Sequence, residues 1–292
     1  MKVVFHADDF GLTPAINDGI LEAFEHGVLR STSLIVTGEA AARGVAAART
    51  APGLDVGVHL TLVEERPVLP PERIPSLVAG DRFLPTHAAV GARYLLGRWR
   101  PAEARAELAA QLERFAASGL EPSHLDGHQH LHLLPGVLPF VVTEARRRGI
   151  RFVRTALGDG PSRPAQAVRA LTLHATNAVS LLASRGVAPA ERRGLIPFRT
   201  IGFLHAGGGM TRAGLLDALD RIRRRAPAEV VEVMLHPGRR DADTERRYRH
   251  WGYRWENDLA LLLDSRLPDA LAQRGIEWTS FRALASATEP RS

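Results

Sequence analysis

The sequence contains no cysteine and only one lysine, Lys2, among its 38 lysine and arginine residues. Without thiols the protein can form no disulfide, use no cysteine nucleophile and build no cysteine-based metal site. The net charge of +6 therefore rests almost wholly on arginine. No basic tract interleaved with aromatic residues is present, so the sequence predicts no nucleic-acid partner. We interpret the arginine clusters as solvated faces, with attraction to an anionic surface or substrate as the alternative.

Long apolar runs and a secretory signal pattern are lacking as well. The most apolar stretch, near residues 170–188, contains His174, Asn177 and Arg185, which is not typical of a membrane span. We expect a cytoplasmic protein without stable membrane insertion, and peripheral association with the inner membrane face is left open. The motifs of serine hydrolases, dinucleotide-binding folds and His-Glu-x-x-His zinc proteases are also absent.

Short β-rich runs alternate with helical patterns along the chain. Such alternation is typical of parallel strands joined by crossover helices. About eight such units predict an α/β fold, a single-domain irregular (β/α) barrel of the TIM type over residues 1–292, with an open doubly wound sheet as the competing architecture. Residues 63–99 and 155–197 are weakly periodic, and we interpret them as inserts or lids over the catalytic face.

Caps and periodicity set the predicted boundaries. Thr13 and Pro14 start a helix that Gly27 ends. The predicted strands cover residues 2–6, 33–37, 55–60, 123–126, 151–154, 199–203, 230–236 and 276–279. The further predicted helices cover residues 39–50, 101–118, 135–148, 212–225 and 256–274, the last broken at Pro268.

Several polar residues share one unusual position, the end of a predicted strand. They are Asp8, Asp9, His59, Asp126, His128 and His236. In a barrel of parallel strands these ends open onto the C-terminal face, where active sites form. Scattered structural histidines would have no reason to choose strand ends. We therefore predict that these residues converge in one catalytic site.

Four histidines fall within nine residues, at His124, His128, His130 and His132. In an extended conformation the last three would project from one face. Two imidazoles and one carboxylate from separate segments form a facial site used for divalent metals. The block therefore predicts a metal site, with Asp126 and the remaining histidines orienting the ligands or contacting substrate.

Asp8 and Asp9 are adjacent carboxylates, which repel each other in a partly buried site unless a cation or base holds them. One natural division makes one of them a metal ligand and the other a general base, whereas a solvated turn is the alternative. His236, which precedes Pro237 and Gly238, is a candidate general acid for a leaving group, or an incidental residue of a turn.

Five sequence blocks, spread over nearly the whole chain, carry a likeness to a known family. The blocks are Ala7-Asp8-Asp9-Phe10-Gly11-Leu12, Val28-Leu29-Arg30-Ser31-Thr32-Ser33-Leu34, Gly57-Val58-His59-Leu60, His124-Leu125-Asp126-Gly127-His128-Gln129-His130-Leu131-His132 and Met234-Leu235-His236-Pro237-Gly238. In content and order they resemble the YdjC-like carbohydrate deacetylases, a family that includes the ChbG-like chitooligosaccharide deacetylases.

The resemblance implies a distorted (β/α) barrel that hydrolyses the N-acetyl amide of an amino sugar with one divalent metal ion. The implied ligands are Asp9, His59 and His128, with Asp8 as the base and His236 as a candidate acid. The residues expected to orient ligands or contact substrate are Asp126, His130, His132 and Arg154. The family's metal has been taken as magnesium, whereas two imidazoles suit zinc or another borderline metal better.

A narrower resemblance covers residues 62–71 and 74–78 and points to the hopanoid-biosynthesis-associated branch called HpnK. That branch is thought to deacetylate a glucosaminyl headgroup on a hopanoid lipid. The fit is partial, because the histidine block of that branch usually lacks an aspartate at the position of Asp126. The implied partner is an acetylated amino sugar, lipid-linked in this branch, and a homodimer is left open. The apolar region 171–182 suits a membrane-dissolved substrate, and an ordinary lid helix accounts for it equally well.

Two other functions remain open from the sequence. A metal-dependent sugar isomerase or epimerase would use a similar barrel site and would release no acetate. A basic nucleic-acid-binding protein would show salt-sensitive binding, although no motif favours it.

Overall fold

The computed structural model describes residues 1–155, 167–205 and 208–287. Eight strands of this part of the chain form one sheet in which every pairing is parallel. They are β1 (Lys2–Phe10), β2 (Ser31–Leu34), β3 (Asp55–Leu60), β6 (His124–Gly127), β7 (Phe152–Val153), β8 (Arg199–Ile201), β9 (Val230–Leu235) and β10 (Glu277–Thr279). A separate antiparallel hairpin pairs β4 (Val78–Ala79) with β5 (Arg82–Phe83).

Helices connect the strands and cover the sheet. Within the described residues they are α1 (Pro14–His26), α2 (Ala41–Thr50), α3 (His87–Leu95), α4 (Pro101–Ala117), α5 (Leu138–Arg147), α6 (Ala167–Ser184), α7 (Pro189–Arg192), α8 (Arg212–Arg225), α9 (Ala242–Arg247), α10 (Trp255–Leu262), α11 (Leu267–Ala272) and α12 (Phe281–Ala287). Helix α1 begins as the sequence predicts, because the Thr13 hydroxyl accepts a hydrogen bond from the Ile16 amide and Pro14 occupies the first turn.

The strand order is β7-β6-β3-β2-β1-β9-β8, with β1 in the apolar centre of the sheet. On one side of β1, β2 pairs with its C-terminal half and β10 with its N-terminal half. The sheet curls into a half-barrel, so the predicted irregular TIM-like fold is confirmed over the open doubly wound sheet. Phe152 of β7 and Phe198 before β8 pack with ring centroids 6.0 Å apart, and Ile196 donates to the Arg151 carbonyl, which joins the two edges.

Some predicted boundaries are wrong by a few residues. The strand predicted at 33–37 is Ser31–Leu34, because it pairs in register with β3 only over those residues. The helix predicted at 256–274 is interrupted at 263–266, and Pro268 lies in the first turn of the second helix, where its missing N–H costs nothing.

The two predicted inserts differ in how far the structure describes them. Residues 63–99 contain the β4–β5 hairpin and α3, and they contact the histidine block, where His87 Nδ1 lies 2.9 Å from Gln129 Oε1. Within residues 155–197, the part 156–166 lies outside the described residues, and the remainder contains α6 and α7. Both segments stay predicted lids. A search of the described residues finds no helix with the length and apolar character needed to span a membrane.

Candidate active site

The first strand ends in a bulge that separates the two adjacent aspartates. The pairing of β1 with β2 shifts register between Ala7 and Phe10, and Asp9 has a φ of 70°. In a regular strand, consecutive side chains point to opposite faces. The bulge and the left-handed Asp9 allow both carboxylates to be buried in one polar cluster while binding different partners. Such strain at a non-glycine residue is typical of functional sites.

Asp9 lies against the two histidines that the sequence places at other strand ends. Its Oδ1 is 2.9 Å from His128 Nδ1 and 3.4 Å from His59 Nε2. The ligand atoms of Asp9, His59 and His128 all lie within 4.8 Å of one another, and all three side chains are buried. One carboxylate and two imidazoles from three strand ends match the donor set of a facial divalent-metal site. These three residues could therefore hold one metal ion.

Asp126 contacts the His59 ring nitrogen that does not face Asp9. Its Oδ1 is 2.9 Å from His59 Nδ1, and its Oδ2 accepts from the Ser33 hydroxyl at 2.9 Å. Burial lowers the pKa of His59, but the Asp126 and Asp8 carboxylates outweigh it and raise that pKa to about 10. A carboxylate behind a ligating histidine fixes its tautomer and orients it toward a metal. Asp126 is thus placed to direct the Nε2 atom of His59 toward Asp9.

Arg154 contacts the carboxylates of the site, and its side chain is fully inaccessible to solvent. Its guanidinium donates to both oxygens of Asp8, at 2.9 and 2.8 Å, and to both oxygens of Glu232, at 3.0 and 2.7 Å. Burial raises the pKa of Asp8, but the charge of Arg154 dominates and holds it well below its usual value. Asp8 is therefore ionised, with Arg154 as its cationic partner.

The histidine block does not adopt the extended conformation that its alternating histidines predict. His128–Leu133 forms a 3-10 helix, and Gln129 and His130 have φ values of 49° and 58°. Extended pairing ends at Gly127, so the following histidines leave the sheet and point apart. His132 Nε2 donates to the Arg154 carbonyl at 2.8 Å, and His130 packs on Phe203 with ring centroids 5.6 Å apart. Of the three, only His128 belongs to a group of residues that could hold a metal ion.

His236 stands on the other side of Asp8. Its Nε2 is 3.9 Å from Asp8 Oδ2, and its ring packs on Tyr253 with centroids 4.7 Å apart. The His236 amide donates to Asp258 Oδ2 at 2.9 Å, and burial raises the pKa of Asp258 to about 7. Burial lowers the pKa of His236 itself. Its Nδ1 atom has no hydrogen-bond partner in the described part of the chain.

Three further charged or titratable residues of the site, two of them buried and one partly buried, are not predicted from the sequence. His6 lies 3.2 Å from both Asp8 and Asp126, and these carboxylates raise its pKa to about 9 against the lowering by burial. Glu232 is a further anionic partner of Arg154, at 2.7 Å. Glu64 contacts His128 at 3.4 Å, and hydrogen bonds keep its pKa below the usual value although burial raises it. A charged residue within the apolar run of β9 is a signal that could have found Glu232.

Two aromatic side chains, Trp251 and Tyr253, border the site and form what we call the aromatic wall. The Trp251 ring lies 5.1 Å from His128 between centroids, and Trp251 and Tyr253 are 5.5 Å apart. Ligand sites commonly combine aromatic lining with a few convergent polar groups. The arrangement can therefore bind a ligand beside a metal ion, with an ionised carboxylate and a neutral imidazole near the reacting atoms.

Comparison with known proteins gives full-length matches. A family model described as YdjC-like protein matches residues 2–273. A carbohydrate deacetylase from Geobacillus stearothermophilus is 32% identical over 284 residues, covering 96% of each chain. A chitooligosaccharide deacetylase from Salmonella paratyphi B is 31% identical over 290 residues, covering 96% of this chain and 97% of the relative.

Solved structures include a match of similar extent. The crystal structure of a putative cellobiose-phosphate cleavage protein from Enterococcus faecalis V583 has a TM-score of 0.72 and 25% identity. The match covers 97% of this chain and 98% of that protein. The half-barrel is therefore a fold found in a solved protein of nearly the same length.

Proposed function

The chain belongs to the family of YdjC-like proteins, and from that premise we propose that it is a metal-dependent hydrolase that removes the N-acetyl group from an amino sugar. The family predicted from the five sequence blocks is confirmed, and relatives across the whole chain are named carbohydrate or chitooligosaccharide deacetylases. The observation that carries the proposal is the grouping of Asp9, His59 and His128 beside Asp8. The hopanoid-associated branch stays a prediction.

The proposed reaction replaces the amide C–N bond with a bond from carbon to a water oxygen. A divalent ion held by Asp9, His59 and His128 would supply Lewis acidity toward the acetyl carbonyl and the attacking water. Asp8 accepts the proton of the attacking water, because it is ionised and each of its oxygens retains acceptor capacity beyond its bond to Arg154. His236, whose Nε2 lies 3.9 Å from Asp8 Oδ2, takes up the proton that Asp8 has accepted and passes it to the departing nitrogen, which leaves acetate and a free amino sugar.

Substrate binding is proposed to use the aromatic wall of Trp251 and Tyr253. Both rings border imidazoles of the site, so a sugar ring packed on them would place its acetamido group near the metal ligands. The metal is proposed to be magnesium or zinc, and two imidazole donors favour zinc.

The finer substrate is proposed to be an N-acetylglucosaminyl hopanoid or a free N-acetylated oligosaccharide. Exposed leucines on α6 support the lipid-linked alternative, because Leu171, Leu181 and Leu182 are 72%, 65% and 54% exposed. Apolar side chains on a helix surface can contact a lipid. Transient association with the inner membrane face follows from this alternative only.

Mass spectrometry of candidate substrates with the purified protein tests the proposed function. N-acetylated chitooligosaccharides and an N-acetylglucosaminyl lipid are incubated separately with the metal-loaded protein. Loss of one acetyl group with release of acetate and a new primary amine is expected for one of them. A mass-neutral change in the sugar would identify an isomerase or epimerase instead. No product from any N-acetyl sugar would contradict the proposal.

A further inference from the structure

Glu64 lies where three separate segments of the chain meet beside the metal-ligand group. Its backbone has a φ of 65°, a left-handed conformation that is unfavourable for a residue with a side chain. The surroundings hold it there, because the Glu64 amide donates to the Leu84 carbonyl at 2.9 Å and Arg82 Nε donates to the Glu64 carbonyl at 3.0 Å. Strain held in place by neighbouring contacts is typical of functional positions.

The Glu64 carboxylate accepts hydrogen bonds on both oxygens. Oε2 is 3.0 Å from Gln129 Nε2 and 3.4 Å from His128 Nε2. Oε1 is 3.1 Å from Trp251 Nε1 and 2.5 Å from His250 Nε2. The Glu64 side chain therefore connects the insert at residues 63–99 by hydrogen bonds to the histidine block and to Trp251 of the aromatic wall.

The two ligating histidines are held in matching ways. His59 has Nδ1 against Asp126 and Nε2 toward Asp9, whereas His128 has Nε2 against Glu64 and Nδ1 toward Asp9. An ionised carboxylate only accepts hydrogen bonds, so it keeps a proton on the facing nitrogen and directs the other nitrogen's lone pair toward a metal. Glu64 faces the ring nitrogen of His128 that does not face Asp9, so it is placed to support this histidine rather than to be a fourth ligand.

We propose that Glu64 is a positioning residue that orients His128 toward the metal and fixes Trp251 of the aromatic wall at the same time. Binding of a sugar ring against Trp251 and the geometry of the metal site are then linked through one carboxylate. This role rests on the proposed metal site and adds a residue that supports it.

Metal affinity of Glu64→Gln tests the proposal. Metal-free protein is titrated with Zn²⁺ and, separately, with Mg²⁺ in a calorimeter, and hydrogen exchange is followed in residues 248–253. The amide keeps the size of the side chain but removes the charge, so we expect about a 10–100-fold weaker Kd for the ion and faster exchange in that segment. If the unsubstituted protein binds the ion and Glu64→Gln binds it with the same Kd, the proposed role of Glu64 is overturned, whereas the proposed metal site is not.

Glu65→Gln is the matched control, because Glu65 is the adjacent buried carboxylate and contacts Tyr248 and Arg82 but not His128. It is expected to loosen the same segment and to leave the Kd for the ion unchanged. An equal loss of affinity in both variants would overturn the proposal, since a loosened segment would then suffice. If Glu64→Gln does not fold, Glu64→Asp, which retracts the charge from His128, must still weaken the Kd. Failure of the unsubstituted protein to bind either ion would contradict the proposed metal site itself.

Discussion

Asp8 and Asp9 show at the scale of single residues how neighbours in sequence acquire different surroundings, which suit different chemical roles. Asp9 faces two imidazoles at 2.9 and 3.4 Å, a setting that suits a metal ligand. Asp8 faces a guanidinium that is fully buried and shared with Glu232. A buried carboxylate paired in this way stays ionised at neutral pH, which a proton acceptor requires.

Replacement of Asp8 by Asn separates proton transfer from metal binding. The amide keeps the shape of the side chain but cannot accept the water proton, so we expect kcat to fall by about 10²–10⁴-fold. The proposed ligands Asp9, His59 and His128 are untouched, so the ion should still bind in a calorimetric titration. Asp18→Asn is the control, since Asp18 is a partly exposed carboxylate paired with Arg43 and should leave kcat unchanged. Native turnover in Asp8→Asn would remove Asp8 as the base.

The sequence alone predicts which residues converge but not how the backbone turns at them. Strand ends are predictable, because apolar runs and βα alternation are local signals. The left-handed Asp9, Gln129 and His130 are not, since such conformations persist only through tertiary contacts. Glu64 is missed for the same reason, because the partners of its carboxylate lie 64 or more residues away in sequence.

At the scale of elements, the predictable parts are those with their own caps and periodicity. The bounds of β3 agree with the sequence prediction, as does the range of α8. The histidine block does not, because its residues leave the sheet after Gly127 into a short 3-10 helix. Alternating histidines suggest a strand, but Gln129 and His130 are left-handed, and His132 contacts the Arg154 carbonyl from the short helix.

Close packing of α1 on the loop after β9 places His236. A side chain added at Gly19 would lie 2.5 Å from the Gly238 backbone, two residues beyond His236. Gly19→Ala must therefore move the loop, and we expect a loss of about 1–3 kcal/mol in the free energy of unfolding, measured by urea denaturation, with reduced kcat. Gly91→Ala in α3 meets nothing within 4 Å and should be neutral or stabilising. If Gly19→Ala and the unsubstituted protein have the same free energy of unfolding, the loop can move without loss of stability.

At the scale of the whole molecule, the half-barrel gathers the site from chain segments that are far apart. Asp9 is 119 residues from His128, and Arg154 is 146 residues from Asp8. The cluster buries several charges, and their pairing is complete only when β1, β3, β6, β7 and β9 are assembled, since Arg154 directly follows β7. A bound ion should therefore stabilise the folded state specifically, because the unfolded chain cannot present the three ligands together.

Thermal unfolding with and without metal tests that linkage. Protein treated with a chelator and then given a divalent ion at about 100 times its Kd should gain about 2.7 kcal/mol at that ion concentration. For a chain of this size the gain corresponds to a rise in Tm of roughly 5 °C, measured by calorimetry. His59→Ala should lose the rise, because one ligand is missing, whereas His26→Ala should keep it, since the His26 side chain is 71% exposed. A rise that survives in His59→Ala would place the ion elsewhere, and no rise in the unsubstituted protein would mean that its folded state does not bind the ion.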